Sequence, residues 1–574
     1  MTGNPPDIPR GLGPGEAPRG SRLRFWLLLG LYLAMLTAGL MRHELWRDEA
    51  QAWLITRESA TLGGLLDWLV VEGHPAAWYL LLWVPARLTS DPAAMQAVHA
   101  LVAGASAAVV LAAAPFRWRD RALLVLGYYS LYEFGVVSRG YALGVLGVYA
   151  ALAAYGRWVK TCEAPDLSPS DRRATPGGGW LLVAAAALAV SANTSVYGLM
   201  IAGAIGTGLA VDLWRRRKRS AARGSPGPGW RSLAGSGLVW SVGLLVSLVQ
   251  LGRYATSDLR YGARRDNAGL IVNPYVLPDV TGHFVDALLP LPNGFSASPW
   301  SDSLLRHVGW WGQPWVLAGV ALVWGVALVT GLRRRPAAAA ALVMGVGLML
   351  TFSLAVFRGY FPRHLGHYFV LVVGCLWLYR LAEPAAARWW PAAGDPVADA
   401  GARRRAGWAW TVVLAWGAAS GVGLWAVDLA EPFSDGPAAA RAIRTAAADG
   451  GGGGEPRVVS TMRSVASSLA APLRREVVFS DTATRGGAVD WRLRVRGFED
   501  VGLAETIRWL DEDADPARGP LFLQVPPGPP PTLPPGYAAE SVYPGGPTLS
   551  AGESFAIYRL HPPADELATD EPAR

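Results

Sequence analysis

The chain has 574 residues, 52% of them hydrophobic and 17% charged, with 26 tryptophans and a formal net charge of +8. It is too apolar for a soluble protein of this size, and its basic excess lies in short loops between apolar runs, which fits membrane orientation better than nucleic-acid binding. The two cysteines, Cys162 and Cys375, belong to no CxxC or Cys/His cluster, so neither a disulfide framework nor a thiolate metal site is expected.

Residues 1–22 are rich in Pro and Gly and carry Arg10, Arg19 and Arg22, which predicts a disordered cytoplasmic tail. No small-residue cleavage site follows the first apolar run, which therefore reads as a retained anchor. A membrane span needs roughly 17 to 25 apolar residues. Candidate spans fall at 25–41, 93–114, 122–138, 140–158, 180–194, 196–213, 233–251, 312–331, 337–356, 366–381 and 407–428. The predicted fold is mainly α, a polytopic membrane helix bundle over 23–430 with about 11 spans, in a range of about 10 to 13.

Threaded from a cytoplasmic N-terminus, the basic loops 117–121, 160–173, 215–219, 333–335 and 380–405 all fall inside, provided that the short apolar segment 75–84 is interfacial or re-entrant. The outer side then receives 42–92, the turn 138–141, the turn around Asn193, the long loop 252–311, 357–366 and everything after about Asp428. The long loop has no evident core of its own and is expected to act as a functional lid. Asn193, Thr194 and Ser195 read as a helical-hairpin turn. From 431 to 574, short apolar pieces alternate with helical stretches, predicting a small extracytoplasmic α/β domain. Its glycine run, 450–454, lacks a following Gly-Lys-Ser/Thr and reads as a linker.

The first outer loop, HELWRDEAQAWLITRESATLGGLLDWLVVEGHPAAWY from His43 to Tyr79, concentrates ionisable groups between apolar segments. Its apolar residues recur at three and four, predicting short interfacial helices with Trp and Leu faces among acyl chains and with Asp48 and Glu49 facing water. Adjacent helical residues point about 100° apart, so the two carboxylates cannot form a dyad. One can be a base while the other orients a partner or a metal; the bland alternative is a solvated pair beside Arg47. His74, after Glu72 and Gly73 and before Pro75, could donate to a phosphate or serve as a cap. Arg139, between apolar runs and followed by Tyr141, suits bidentate phosphate binding or snorkelling to lipid phosphates. Glu133 in the preceding span is a candidate partner for an arginine. Arg358, Arg363, His364 and His367 lie in an outer segment against the usual charge bias, which points to an anionic ligand.

The motifs WRDEAQAW, EGHPAAWYLLL and SRGYAL, in that order, resemble the multi-spanning, lipid-phosphate-sugar-dependent glycosyltransferases of the GT-C superfamily, particularly the bacterial protein mannosyltransferase-like and RgtA/B/C/D-like branch. The resemblance covers residues 25–215 and extends more weakly to about 380. It implies that Asp48 activates the acceptor, with Glu49 as its neighbour. It also maps a His-Pro motif onto His74 and Pro75, and an Arg-x-Tyr-Ala-Leu stretch onto Arg139, Tyr141, Ala142 and Leu143. The chain departs from the pattern at Gly140, where proline is often seen, and in lacking a second acidic residue near that point. These departures leave open the branch, the base and whether a divalent cation takes part.

The implied activity is inverting transfer of a sugar from a polyprenyl phosphate to an acceptor glycan, lipid or protein on the outer face of a bacterial inner membrane. Asp48 would be the base, and His74, Arg139, Tyr141 and Arg363 or His364 would hold the departing phosphate. Membrane lipids are the surrounding partners, and no nucleic acid is implied. A transporter or flippase of a lipid-linked saccharide is the rival from another class, and it should place ionisable groups mid-membrane on several spans, where this chain has few. A glycan polymerase or ligase is hardly separable at this level.

Overall fold

The computed structural model describes residues 19–163, 178–222, 229–256, 276–294, 296, 299–300, 302–357, 361–381, 396–449, 454–490, 502–512, 518–550 and 552–563. The expected N-terminal tail up to residue 18, residues 257–275 of the proposed lid, Arg358 and Gly450 to Gly453 lie outside them. The apolar part begins with α1 (Arg19–Arg42), followed by the first-loop helices α2 (Arg47–Glu58), α3 (Leu62–Glu72) and α4 (Ala77–Leu88), then α5 (Ala93–Ala113) and α6 (Trp118–Val125). A π-helical segment, Tyr128–Val136, precedes α7 (Tyr141–Glu163), α8 (Gly178–Ala192), α9 (Val196–Ala222) and α10 (Trp230–Thr256). After α11 (Val276–Leu288) come α12 (Pro314–Leu332), α13 (Pro336–Ala355), α14 (Pro362–Leu381) and α15 (Pro396–Ala430).

Among the described residues, nine helices (α1, α5, α7, α9, α10, α12, α13, α14 and α15) are long and apolar enough to cross a membrane. Leu27, Leu238, Leu245, Leu322 and Val323 on these helices are exposed, as a lipid-facing surface requires. The protein is therefore mainly helical, integral and multi-pass. The other two expected spans differ in kind. Segment 180–194 is the 15-residue α8, and 122–138 is divided at Gly127 into the eight-residue α6 and the nine-residue π segment. The π segment packs closely on α15, where a Cβ at Gly421 would lie 2.7 Å from the Tyr128 nitrogen. With 12 residues, α4 rises only about 18 Å against a hydrocarbon thickness of about 30 Å. At that length α4 is too short to cross, as was expected of segment 75–84.

Beyond α16 (Gly436–Asp449), the strands β1 (Glu455–Ser460), β2 (Val477–Phe479), β3 (Thr484–Gly486), β4 (Arg518–Val525), β5 (Ala538–Tyr543) and β6 (Ala556–His561) form one sheet in the order β3-β2-β1-β4-β6-β5. The central strand β1 runs parallel to β2 and β4, and the outer pairings are antiparallel. Alternation sorts its two faces. Val459, Leu521, Leu523 and Tyr558 pack with Ile507 and Leu510 of α18 (Leu503–Glu512), which follows α17 (Ala466–Leu473) in the chain. Val458, Phe522 and Ile557 face the opposite way, into a core shared with the first outer loop.

That shared core corrects one expectation. Trp53, Leu54, Ile55, Leu65 and Leu69 pack against Ile443, Leu469, Phe479, Phe522 and Phe555 of the C-terminal domain, not against acyl chains. The polar edges of α2 explain why the domain docks there. The Glu58 carboxylate accepts the Gly487 and Ala488 N–H groups at 2.8 and 3.1 Å, and Gln51 exchanges two hydrogen bonds with the Val489 backbone at 2.9 and 2.8 Å. These bonds satisfy backbone that would otherwise be stranded beside an apolar surface. Leu62 and Leu66 alone keep the exposure expected of a lipid-facing pair on α3.

Trp53 is fully buried at this junction. Trp53→Ala should destabilise the detergent-solubilised protein by about 3–5 kcal/mol, read as a lowered midpoint of thermal unfolding. An unchanged midpoint would mean that the side chain faces lipid after all.

Candidate active site

The first outer loop, the turn after the π segment and the turn before α9 converge on a cavity of about 460 Å³. Its wall includes Arg47, Asp48, Gln51, Glu72, His74, Tyr79, Arg139, Tyr141 and Thr194, and the C-terminal domain closes it with Ser464, Ser467 and Val489. Local rules place each group. Asp48 and Glu49 occupy the first turn of α2, where negative charge suits the helix dipole. Helix α3 is capped by Thr61, whose Oγ1 accepts the Gly64 N–H at 3.0 Å. It stops at Gly73 in the left-handed region (φ 67°), and this reversal carries His74 back into the wall. Arg139 follows the extended Val137 that ends the π segment, and Gly140 lets the turn pass Trp78, since a Cβ there would sit 2.8 Å from the Trp78 Cβ.

Two guanidiniums meet at one carboxylate oxygen, Oδ2 of Asp48: Arg139 Nη1 lies 2.7 Å away and Arg363 Nη2 3.4 Å. Desolvation would raise the Asp48 pKa, but the charges of Arg139, Arg363 and Arg47 outweigh it and hold the carboxyl down at about 2. The Trp46 ring lies beside both arginines, with its centroid 4.9 Å from Arg363 Cζ and 5.9 Å from Arg139 Cζ. Among the described residues, Nε and Nη1 of Arg363 are buried without a hydrogen-bond partner. Buried donors without partners are rare and costly unless a ligand takes them.

Glu72 answers Asp48 from the opposite wall. Its Oε1 accepts from Gln51 Nε2 at 3.0 Å. Desolvation is the main cause that lifts its pKa to about 7; the Gln51 bond opposes this and the Asp48 charge adds to it. His74 behaves differently from expectation. Desolvation and then the Arg139 charge lower its pKa to about 4, so the ring is neutral near pH 7. Its Nδ1 lies 2.8 Å from the Glu72 carbonyl oxygen, which can only accept. That assigns the proton to Nδ1 and leaves Nε2 as an acceptor, 3.5 Å from the Tyr141 hydroxyl. A phosphate would find no donor on this tautomer.

Glu49 also departs from expectation, because it faces inward and is completely buried. Its carboxylate accepts the Ser138 N–H, takes the Trp46 N–H at 3.3 Å and lies 3.0 Å from His43 Nε2. The other ring nitrogen of His43 is 2.9 Å from Asp428 on α15. Burial works against charging this ring, yet the carboxylates of Asp428 and Glu49 raise its pKa well above the usual histidine value. The 100° between neighbouring helical residues thus separates the pair: Asp48 enters the cavity while Glu49 anchors the turn that holds Arg139.

Of the remaining expected site residues, Arg363 reaches Asp48, and Tyr141 and His364 meet edge-on with ring centroids 6.2 Å apart. One position along α14 from Arg363, His364 stacks on Tyr197 at 5.1 Å and meets Phe357 and Phe361 edge-on. Glu133 makes no arginine pair among the contacts described; it accepts from Trp300 Nε1 at 2.9 Å and Tyr128 OH at 3.3 Å. Sequence reasoning gave no role to Glu72 or Gln51. Gln51 had a usable signal in its i,i+3 spacing from Asp48, and Glu72 in its place beside the His-Pro turn. Ser464, Ser467 and Val489 carried no signal, since only the docking of a distant domain brings them in.

The fold and cavity define a multi-pass membrane protein with an arginine- and carboxylate-lined chamber between its first outer loop and its C-terminal domain. Among the described residues, no group of three or more His, Cys, Asp or Glu side chains is placed to hold a metal ion. No family model and no curated protein matches the chain. Among solved structures it is similar to ArnT from Cupriavidus metallidurans in the apo state, at 16% identity and a TM-score of 0.47, covering 94% of this chain and 98% of that one. It is also similar to the structure of ArnT from the same organism bound to undecaprenyl phosphate, at 15% identity and 0.39, covering 95% and 98%. At these TM-scores the likeness carries no argument about what this chain does.

Removing one partner from a buried ionic array costs about 3–5 kcal/mol. Glu49→Gln and His43→Gln should each destabilise the solubilised protein on that scale, and the double variant should cost clearly less than the sum of the two. Additive losses in a thermal unfolding series would show that the two side chains are not coupled.

Proposed function

We propose that the protein is a membrane glycosyltransferase that moves a sugar from a polyprenyl phosphate to a hydroxyl-bearing acceptor, acting at the outer face of a bacterial inner membrane. The observation that carries this reading is the preformed anion seat: two guanidiniums converge beside Asp48, and one of them still has two buried donors to offer. Planar forks of this kind suit a phosphate. The resemblance of the three motifs to lipid-phosphate-dependent transferases points the same way.

In the reaction, the acceptor oxygen attacks the anomeric carbon as the bond from that carbon to the phosphate oxygen breaks, and the bonding pair leaves with the polyprenyl phosphate. Arg139 and Arg363 neutralise the charge that grows on the leaving group. The acceptor's proton needs a base that ionises near the working pH. Asp48, held at about 2, is poorly basic while the arginines surround it. Glu72, at about 7, is the better match. Two carboxylates pushed apart in this way divide the labour: Asp48 sets the arginines and Glu72 takes the proton. This moves the base from the position that the sequence resemblance assigned to it.

The test uses purified protein in detergent with a labelled polyprenyl-phosphate sugar, scored for donor retention and for transfer. Glu72→Gln should retain donor while transfer falls by about 10²–10⁴. Asp48→Asn should alter donor retention itself. Because the basic form of Glu72 accumulates above its pKa, wild-type kcat/KM should rise with pH through about 7, and Glu72→Gln should lose that inflection. Full transfer by Glu72→Gln together with none by Asp48→Asn would return the base to Asp48. Movement of the lipid across liposomes with the sugar-phosphate bond intact would replace the transferase with a flippase.

A further inference from the structure

A second polar cavity lies far from the first, and the transfer reaction makes no use of it. Between the C-terminal end of α9 and the turn joining α12 to α13 there is a space of about 80 Å³, walled by Asp212, Arg215, Arg219, Arg334, Arg335, Pro336, Ala337 and Leu378. Thr194, which lines the active-site cavity, directly precedes the turn into α9. Arg215 is 21 residues further along, a rise of roughly 30 Å, which matches the hydrocarbon thickness of a bilayer. The two cavities therefore sit at opposite membrane surfaces.

The charge of this small space is unbalanced. Four guanidinium groups border it against a single carboxylate. That carboxylate, Asp212, is already taken by Arg216 Nε at 2.8 Å and the Tyr155 hydroxyl at 2.7 Å. Arg215 and Arg219 are one helical turn apart and share a face, while Arg334 and Arg335 approach from the neighbouring turn. The 20-residue α13 begins at Pro336, in the wall itself, so its positive dipole end adds to the same field. Beyond it, exposed Val343 and Met344 on α13 continue an apolar path toward the membrane interior. Basic side chains at the inner surface satisfy the positive-inside rule wherever they stand. Their convergence on one recess at a helix N-terminus, beside an apolar track, suits an anion with an acyl tail.

We propose that this recess binds the phosphate headgroup of an anionic phospholipid in the leaflet opposite the active site. The inference stands apart from the transferase reading and needs only the membrane fold. The probe is spin-labelled phosphatidylglycerol in phosphatidylcholine nanodiscs holding the full chain, with the immobilised fraction read by electron paramagnetic resonance. Each arginine near a membrane surface is worth about 1 kcal/mol toward an anionic lipid, so Arg215→Gln/Arg334→Gln should weaken retention about thirtyfold. Arg215→Lys/Arg334→Lys should stay within a few-fold of wild type. The charge-matched pair Arg117→Gln/Arg231→Gln, outside the recess lining, should lower retention much less than the recess pair. Equal losses in the two Gln pairs would reduce the effect to diffuse surface charge and overturn the site. Unaltered retention in Arg215→Gln/Arg334→Gln would do the same, and so would radiolabelled inorganic phosphate that binds through these arginines while the lipid does not.

Discussion

The Glu49 carboxylate is turned into the protein, and the shape of the active site depends on how that buried charge is compensated. Its two oxygens gather the N–H groups of Ser138 and Trp46 and the His43 ring, while His43 reaches on to Asp428. Four segments distant in sequence are joined by these contacts: the end of α1, the start of α2, the turn after the π segment and the end of α15. Arg139 is the next residue after Ser138, and Trp46 lies beside both arginines. The position of the anion seat is thus inherited from a buried ionic array that lines no part of the cavity.

The electrostatics of the cavity come from asymmetry between its walls. On the α2 side, guanidiniums crowd Asp48 and keep it ionised. On the α3 side, Glu72 has only an amide for a close partner, and desolvation governs it. A neutral His74 between Glu72 and Tyr141 orders this wall without adding charge. The C-terminal domain completes the enclosure by exchanging backbone hydrogen bonds with Gln51 and Glu58. Gln51 ties the domain at Val489 and Glu72 in the cavity through the same amide nitrogen, so the cover and the proposed base share one side chain. Excluding water in this way strengthens every charge interaction inside.

The apolar runs, their approximate number, the hairpin turn at Asn193 to Ser195 and the apolar strands β1, β2, β4 and β6 of the C-terminal domain were legible in the sequence, because hydrophobic periodicity and span length are local properties of the chain; the more polar β3 and β5 were not. The sequence likewise showed that Asp48 and Glu49 must point apart, and it marked Arg139 and Arg363 as candidates for an anion, with snorkelling to lipid phosphates as the alternative for Arg139. It could not say which carboxylate faces the cavity, because helical geometry fixes the angle between them but not the rotation of α2 about its axis. That rotation is set by docking on the C-terminal domain, which also took Trp53 and Leu54 away from lipid. Nor could sequence separate His364 from Arg363, neighbours of similar polarity, until packing sent one among aromatic rings and the other to Asp48. The raised pKa of Glu72 and the tautomer of His74 belong to the tertiary structure alone, since desolvation, a charge across a cavity and a carbonyl two residues back act on a side chain only once the chain has closed around it.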